Sequence, residues 1–133
     1  MEEKRKILIV DDDTFILDMY AFKFSQNSFE VYTATNGVQA VEKLKGGLVP
    51  NIILMDIIMP EMDGFEMLEK INSEKLSTNS IKIILSNKNE QSDVDKGNLL
   101  GVSGYIVKAN STPAEVIEQV MEILTKKGAS QKV

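Results

Sequence analysis

Residues 51–64 read NIILMDIIMPEMDG, and the fold is decided by how this stretch begins. Ile52, Ile53, Leu54 and Met55 follow one another without a polar break and stop at Asp56. A strand covered on both faces reads as such a continuous apolar run, whereas a strand with one wet face alternates. Pro50 before the run and Pro60 and Gly64 after it deny it to a helix. Residues 51–55 are therefore expected to be the central strand of a buried sheet, with Asp56 at its carboxyl end.

Working toward the N-terminus, residues 6–10 (KILIV) form a second apolar run, ended by Asp11, Asp12 and Asp13. Phe15, Ile16, Met19, Tyr20 and Phe24 then recur at helical spacing to about residue 28. Residues 30–34 (EVYTA) read as a strand and 38–45 as a helix, with Gly46-Gly47 where a left-handed cap would end it. Asn36-Gly37 also suits a hairpin turn, but Val38, Ala40, Val41 and Leu44 after it have a helical period.

Toward the C-terminus, Phe65, Leu68 and Ile71 mark a helix, 81–85 (IKIIL) a strand and 86–89 a polar loop. A fourth helix is expected around 93–100, weakened by Gly97, which costs about 1 kcal/mol against alanine. Residues 104–107 (GYIV) make the last strand, and Thr112-Pro113-Ala114-Glu115 reads as a capping box with proline at the first helical position. Val116, Ile117, Val120, Met121 and Leu124 carry that helix on, and 129–133 are expected to fray as a tail after one domain over 1–128. Five strand–helix pairs imply right-handed crossovers, hence an α/β fold with a doubly wound, five-stranded parallel sheet.

Composition narrows the function. The 133 residues suit one domain with one core and leave no room for a separate output domain. No apolar run approaches the roughly 20 residues of a membrane span, and the charged start is unlike a secretion signal, so a cytoplasmic protein is expected. With no cysteine there is no disulfide or thiolate site; with no histidine there is no histidine-ligated metal and no Ser-His catalysis. The net charge of −5 opposes nucleic-acid binding.

Sheets of this kind bind ligands beyond the carboxyl ends of their strands. Asp11, Asp12, Asp13, Asp56, Ser86 and Lys108 stand at or just past those ends. Carboxylates crowded there repel one another until a proton or a cation joins them, and an all-oxygen donor set suits Mg2+, with Mn2+ as the alternative. The lysine ammonium and serine hydroxyl suit phosphoryl oxygens. Asp13 is better placed to cap the first helix, and Asp63-Gly64 to turn into the third, than to bind metal, and Glu61 is likewise left out of the metal set. Asn110-Ser111-Thr112 matches a glycosylation acceptor, but reads better as the loop before the capping box.

The segments KILIVDDD, NIILMDIIMPEMDG, IKIILSN and GYIVKAN, in this order, resemble the response-regulator receiver domain over nearly the whole chain. The resemblance implies a flavodoxin-like (βα)5 fold with strand order 2-1-3-4-5. It implies Asp56 as phosphoacceptor, and Asp11, Asp12, Asp56 and the Ile58 backbone carbonyl as magnesium ligands. Ser86 would be the switch hydroxyl, Lys108 its partner at the phosphoryl group, and Tyr105 the aromatic whose orientation reports the state. The implied donor is a phosphohistidine on a sensor histidine kinase or a histidine phosphotransfer protein, and the output an unknown downstream protein. Such a chain is a signalling switch rather than an enzyme, since it catalyses only its own phosphorylation and dephosphorylation.

Two other readings compete: a binding module recognised without phosphorylation, and a magnesium-dependent phosphohydrolase. The first fits poorly with Asp11, Asp12, Asp56, Ser86 and Lys108 together; the second lacks the general acid two residues after its nucleophile, where Ile58 stands. The sequence also departs from the family it resembles. Asn87 replaces a small residue after the switch hydroxyl and is expected to modulate access to Asp56; Lys108 is followed by Ala109 rather than proline. A cis bond costs about 2.5–4 kcal/mol before a residue other than proline, against about 0.5–1 before proline. The Lys108–Ala109 bond is therefore expected to be trans, with residues 109–111 rearranged so that Lys108 still reaches the cleft.

Overall fold

The computed structural model describes residues 4–131, with side chains to residue 126. Its five strands are β1 (Arg5–Val10), β2 (Phe29–Ala34), β3 (Ile52–Met55), β4 (Ile81–Ser86) and β5 (Gly104–Val107). The helices are α1 (Thr14–Gln26), α2 (Gly37–Lys45), α3 (Gly64–Ser73), α4 (Gln91–Leu99) and α5 (Pro113–Gln131), with a short 3-10 turn, Lys108–Asn110, between β5 and α5. All strand pairs are parallel, in the order β2-β1-β3-β4-β5.

The apolar runs belong to β1, β3 and β4 because both faces of these strands are covered. Ile7, Ile9, Ile52, Leu54, Ile83 and Leu85 point to the face packed by α1 and α5, beside Leu17, Phe24, Val116 and Val120. Leu8, Val10, Ile53, Met55 and Ile84 point to the other, beside Val41, Leu44, Phe65 and Leu68. Each fully buried Ile or Leu contributes about 1.5–3 kcal/mol, so a one-residue slip of β3 against its neighbours would be prohibitive. That locked register fixes which residues emerge at the sheet's carboxyl edge.

The helix starts follow the expected chemistry. Asp13 caps α1 by accepting from the backbone N–H groups of Phe15 and Ile16 at 3.0 and 3.2 Å. Asn36 caps α2 by accepting from Gln39, which rules out the hairpin turn at Asn36-Gly37. Asp63 and Glu66 form a reciprocal capping box on α3, and Thr112 and Glu115 another before α5. Gly47, with φ +110°, supplies the left-handed residue after α2.

Several boundaries differ. α1 ends at Gln26 because Ser28 adopts φ +68° and turns the chain into β2. α4 starts at Gln91, since Asp93 Oδ2 accepts from Glu90 N–H at 3.1 Å and holds its first turn. The backbone of residues 129–131 continues α5, so the expected domain limit at 128 falls inside a helix; 132 and 133 lie outside the described residues. Among the described residues no peptide bond is cis, so Lys108–Ala109 is trans, as expected.

Candidate functional site

Register builds the cleft. Val10 of β1 lies opposite Met55 of β3, so Asp11 and Asp56, the next residues of each chain, emerge side by side. The ladder continues one step past the strands: Asp56 N–H donates to the Val10 carbonyl at 3.0 Å, and Asp11 N–H to that of Ala34 at 3.2 Å. Ser86 of β4 pairs with Val107 of β5, and Lys108 follows at once. Four strands therefore deliver two acids, a hydroxyl and an ammonium to one edge of the sheet.

Lys108 Nζ lies 2.6 Å from Asp11 Oδ2 and 2.9 Å from Asp56 Oδ2. The other oxygens are held by backbone: Asp11 Oδ1 accepts from Asp13 N–H at 3.0 Å and Asp56 Oδ1 from Ile57 N–H at 2.7 Å. Both acids are nearly enclosed, whereas Asp12 beside them is exposed. Asp11, Asp12 and Asp56 each offer an oxygen within 4.8 Å of the others. A donor set of carboxylate oxygens only, partly open to water, has the chemistry of a magnesium site.

The electrostatics follow from this crowding. Burial raises the Asp11 pKa from its ordinary value, against the lowering by Lys108 and the Asp13 N–H, and Asp56 pushes the same way as burial. Burial pulls the Lys108 pKa down, but hydrogen bonds and charges from Asp11 and Asp56 outweigh it and leave the ammonium stabilised. Tyr20, buried on α1, feels both charges, and its pKa is raised, chiefly by burial. Helical spacing marks Tyr20 as core, and nothing in its sequence neighbourhood ties it to Asp11.

The remaining candidates are Ser86 at the end of β4, Tyr105 in β5, and Asn87 and Ile58 in the loops that follow β4 and β3. Ser86 is fully buried, and its Oγ accepts from Lys88 N–H at 3.2 Å. Tyr105 is half-buried, its hydroxyl donates to the Lys88 carbonyl, and its pKa is pushed up to about 12 by burial and then by the charges of Asp93 and Asp56. Asn87, expected to control access, uses its carboxamide oxygen on Ala109 N–H at 2.8 Å; no hydrogen bond joins it to Asp56 among the described residues. Ile58 shows an exposed apolar side chain, so the general acid of a phosphohydrolase is absent from that position.

The family model of the response regulator receiver domain matches residues 7–121. The chain belongs to that family. This receiver is 36% identical over 120 residues to the chemotaxis protein CheY of Thermotoga maritima, covering 90% of this chain and 97% of that one. It is 32% identical over 120 residues to the alkaline phosphatase synthesis transcriptional regulatory protein PhoP of Bacillus subtilis, covering 90% of this chain; it spans only about half of PhoP (48%). A CheY-like response regulator receiver domain protein from Methanospirillum hungatei superposes with a TM-score of 0.85 at 28% identity, over 96% of this receiver and 98% of that chain. The receiver is thus a response-regulator domain of two-component signalling, a phosphorylation-switch family rather than a class of ordinary enzymes. No helix among its described residues is long and apolar enough to cross a membrane.

Proposed function

We propose that this receiver takes a phosphoryl group onto Asp56 from a phosphohistidine of a partner protein, a sensor histidine kinase or a histidine phosphotransfer protein. The observation that carries the reading is the bridge of Lys108 between Asp56 and Asp11, with Asp12 alongside. An Asp56 carboxylate oxygen attacks phosphorus, the P–N bond to the donor imidazole breaks, and the imidazole leaves with the bonding electrons and takes up a proton. These 133 residues contain no histidine, so the donor imidazole lies outside them. Asp11, Asp12, Asp56 and the Ile58 carbonyl would hold Mg2+, or Mn2+ in its place. When bound, the cation neutralises phosphoryl oxygens that the acids would otherwise repel.

Lys108 has the charge and position to leave Asp56 Oδ2 for a phosphoryl oxygen, and Ser86, whose Oγ accepts from Lys88 N–H, keeps its own O–H to donate to another. Movement of the 86–88 loop reaches Tyr105 through the Lys88 carbonyl, which gives phosphorylation a route to a protein-binding face. The proposed output is an unidentified downstream protein, with no nucleic acid or membrane involved, and the proposed setting is the cytoplasm. The test is incubation with acetyl phosphate and Mg2+ followed by intact mass. Wild type should gain one labile acyl phosphate and Asp56→Asn none; labelling of that variant, or labelling undiminished by a chelator, overturns the assignment.

A further inference from the structure

The last β4–β5 pair is Ser86 with Val107, and beyond it the chains part into the two loops that carry Asn87 and Lys108. The second loop opens as the 3-10 turn, Lys108–Asn110, whose preceding residue, Val107, offers no side-chain cap. The first amides of any helical turn lack an internal acceptor and need one from elsewhere. Ala109 N–H finds it across the sheet edge, in Asn87 Oδ1 at 2.8 Å and 22 residues away in sequence. Proline at position 109 would have no N–H to offer, so the two unusual residues of this cleft make sense as a pair.

The position of that bond matters more than its strength. Ala109 N–H belongs to the peptide unit that begins at the Lys108 carbonyl, so holding it restricts the backbone from which the Lys108 side chain projects. The Lys108 ammonium must meet two oxygens at once, at 2.6 and 2.9 Å, and a small rotation of that peptide would cost one of them. Asn87 is itself steadied on both sides. Ser86 before it is buried in the sheet, and Lys88 after it is tied to Ser86 Oγ, to the Tyr105 hydroxyl and, through Nζ, to Asp93 at 2.9 Å.

We infer that Asn87 is a positioning residue for Lys108, acting through the Ala109 N–H, and not a guard on access to Asp56. The part of this inference that concerns reaction rate rests on the phosphoacceptor reading above. The part that concerns geometry does not.

The experiment compares wild type, Asn87→Ala, which removes the acceptor, and Asn87→Asp, which keeps an Oδ acceptor. In the labelled chain, amide exchange at Ala109 should speed about 3- to 10-fold in Asn87→Ala, the range for one neutral hydrogen bond, and stay slow in Asn87→Asp. Amides of β1 and β3 should not change, which separates this loss from general loosening. The Lys108 Cε–Hε NMR signal, held between two carboxylates, should move toward the position of an exposed lysine in Asn87→Ala alone. With acetyl phosphate and Mg2+, Asn87→Ala should label at least about threefold more slowly than wild type. Unchanged Ala109 exchange or an unmoved Lys108 signal overturns the positioning role. Equal or faster labelling of Asn87→Ala, in a wild type that does label, overturns its bearing on rate. A wild type that takes no label refutes the phosphoacceptor reading instead, and leaves the two NMR measurements to decide the geometry.

Discussion

Lys108 gains more from the cleft than Asp11 does. One ammonium serves two carboxylates, so the lysine's charged form is favoured despite burial, while burial still outweighs all that Asp11 receives. The sign for stability follows. A carboxyl whose folded pKa is raised contributes stability that is complete below its unfolded pKa and is lost as pH rises through the folded value. At neutral pH the charged Asp11 is therefore a cost to the metal-free fold. Asp11→Asn removes that cost while Asp56 still pairs with Lys108, so the variant should gain stability relative to wild type near neutral pH. The gain should shrink as pH falls into the carboxylate range, where wild-type Asp11 takes up its proton. Urea unfolding without divalent cations measures it, and a neutral-pH loss of stability in the variant contradicts the argument. The acids themselves are legible from sequence because each directly ends an apolar run. Their pairing with Lys108, 97 and 52 residues away, has no local signal and rests on strand order and register.

α3 shows how an element can be pressed into service by a residue that is read only as a turn. Asp63 and Glu66 fix its first turn by a capping box, and Gly64 N–H donates to the Ile57 carbonyl at 2.8 Å. A Cβ on Gly64 would stand 2.3 Å from the Asp56 carbonyl oxygen and 2.9 Å from Ile57 Cα, both backbone atoms that cannot swing aside. Gly64→Ala should therefore destabilise the protein by about 2 kcal/mol or more, the scale of overpacking, and slow phosphorylation of Asp56 by displacing its backbone. A stability within about 0.5 kcal/mol of wild type would show that α3 can retreat without cost. Gly97 carries a similar lesson for α4. Its low helix propensity reads as a flaw, yet a Cβ there would meet Ile84 Cδ1 at 3.0 Å and Val102 Cγ2 at 3.2 Å, so the glycine lets α4 lie close on β4. Strands and caps are legible because their signals are local. Close approaches and the Asn87–Ala109 bond join distant segments, and only the assembled sheet brings them within reach.

At the scale of the whole molecule, a parallel sheet of order β2-β1-β3-β4-β5 brings Asp11, Asp12 and Asp56 together at one end, in a chain that is already acidic at −5. Lys108 answers two of the three clustered acids and leaves Asp12 exposed and free of that bridge. A divalent cation that binds only the folded arrangement must then stabilise the fold by mass action, by about 2.7 kcal/mol at a hundredfold excess over its dissociation constant. For a domain of this size that corresponds to a rise in Tm of roughly 10 °C. Asp12→Asn is the informative variant, because it removes one oxygen donor while leaving the Lys108 bridge and the buried acids intact. Wild type should show the rise with MgCl2 and not with KCl at equal ionic strength, and Asp12→Asn should lose most of it. Equal shifts from the two salts would reduce the effect to screening of surface charge. A full magnesium shift in Asp12→Asn would mean that the exposed acid is not a ligand, and would leave Asp11 and Asp56 to hold the cation in competition with Lys108.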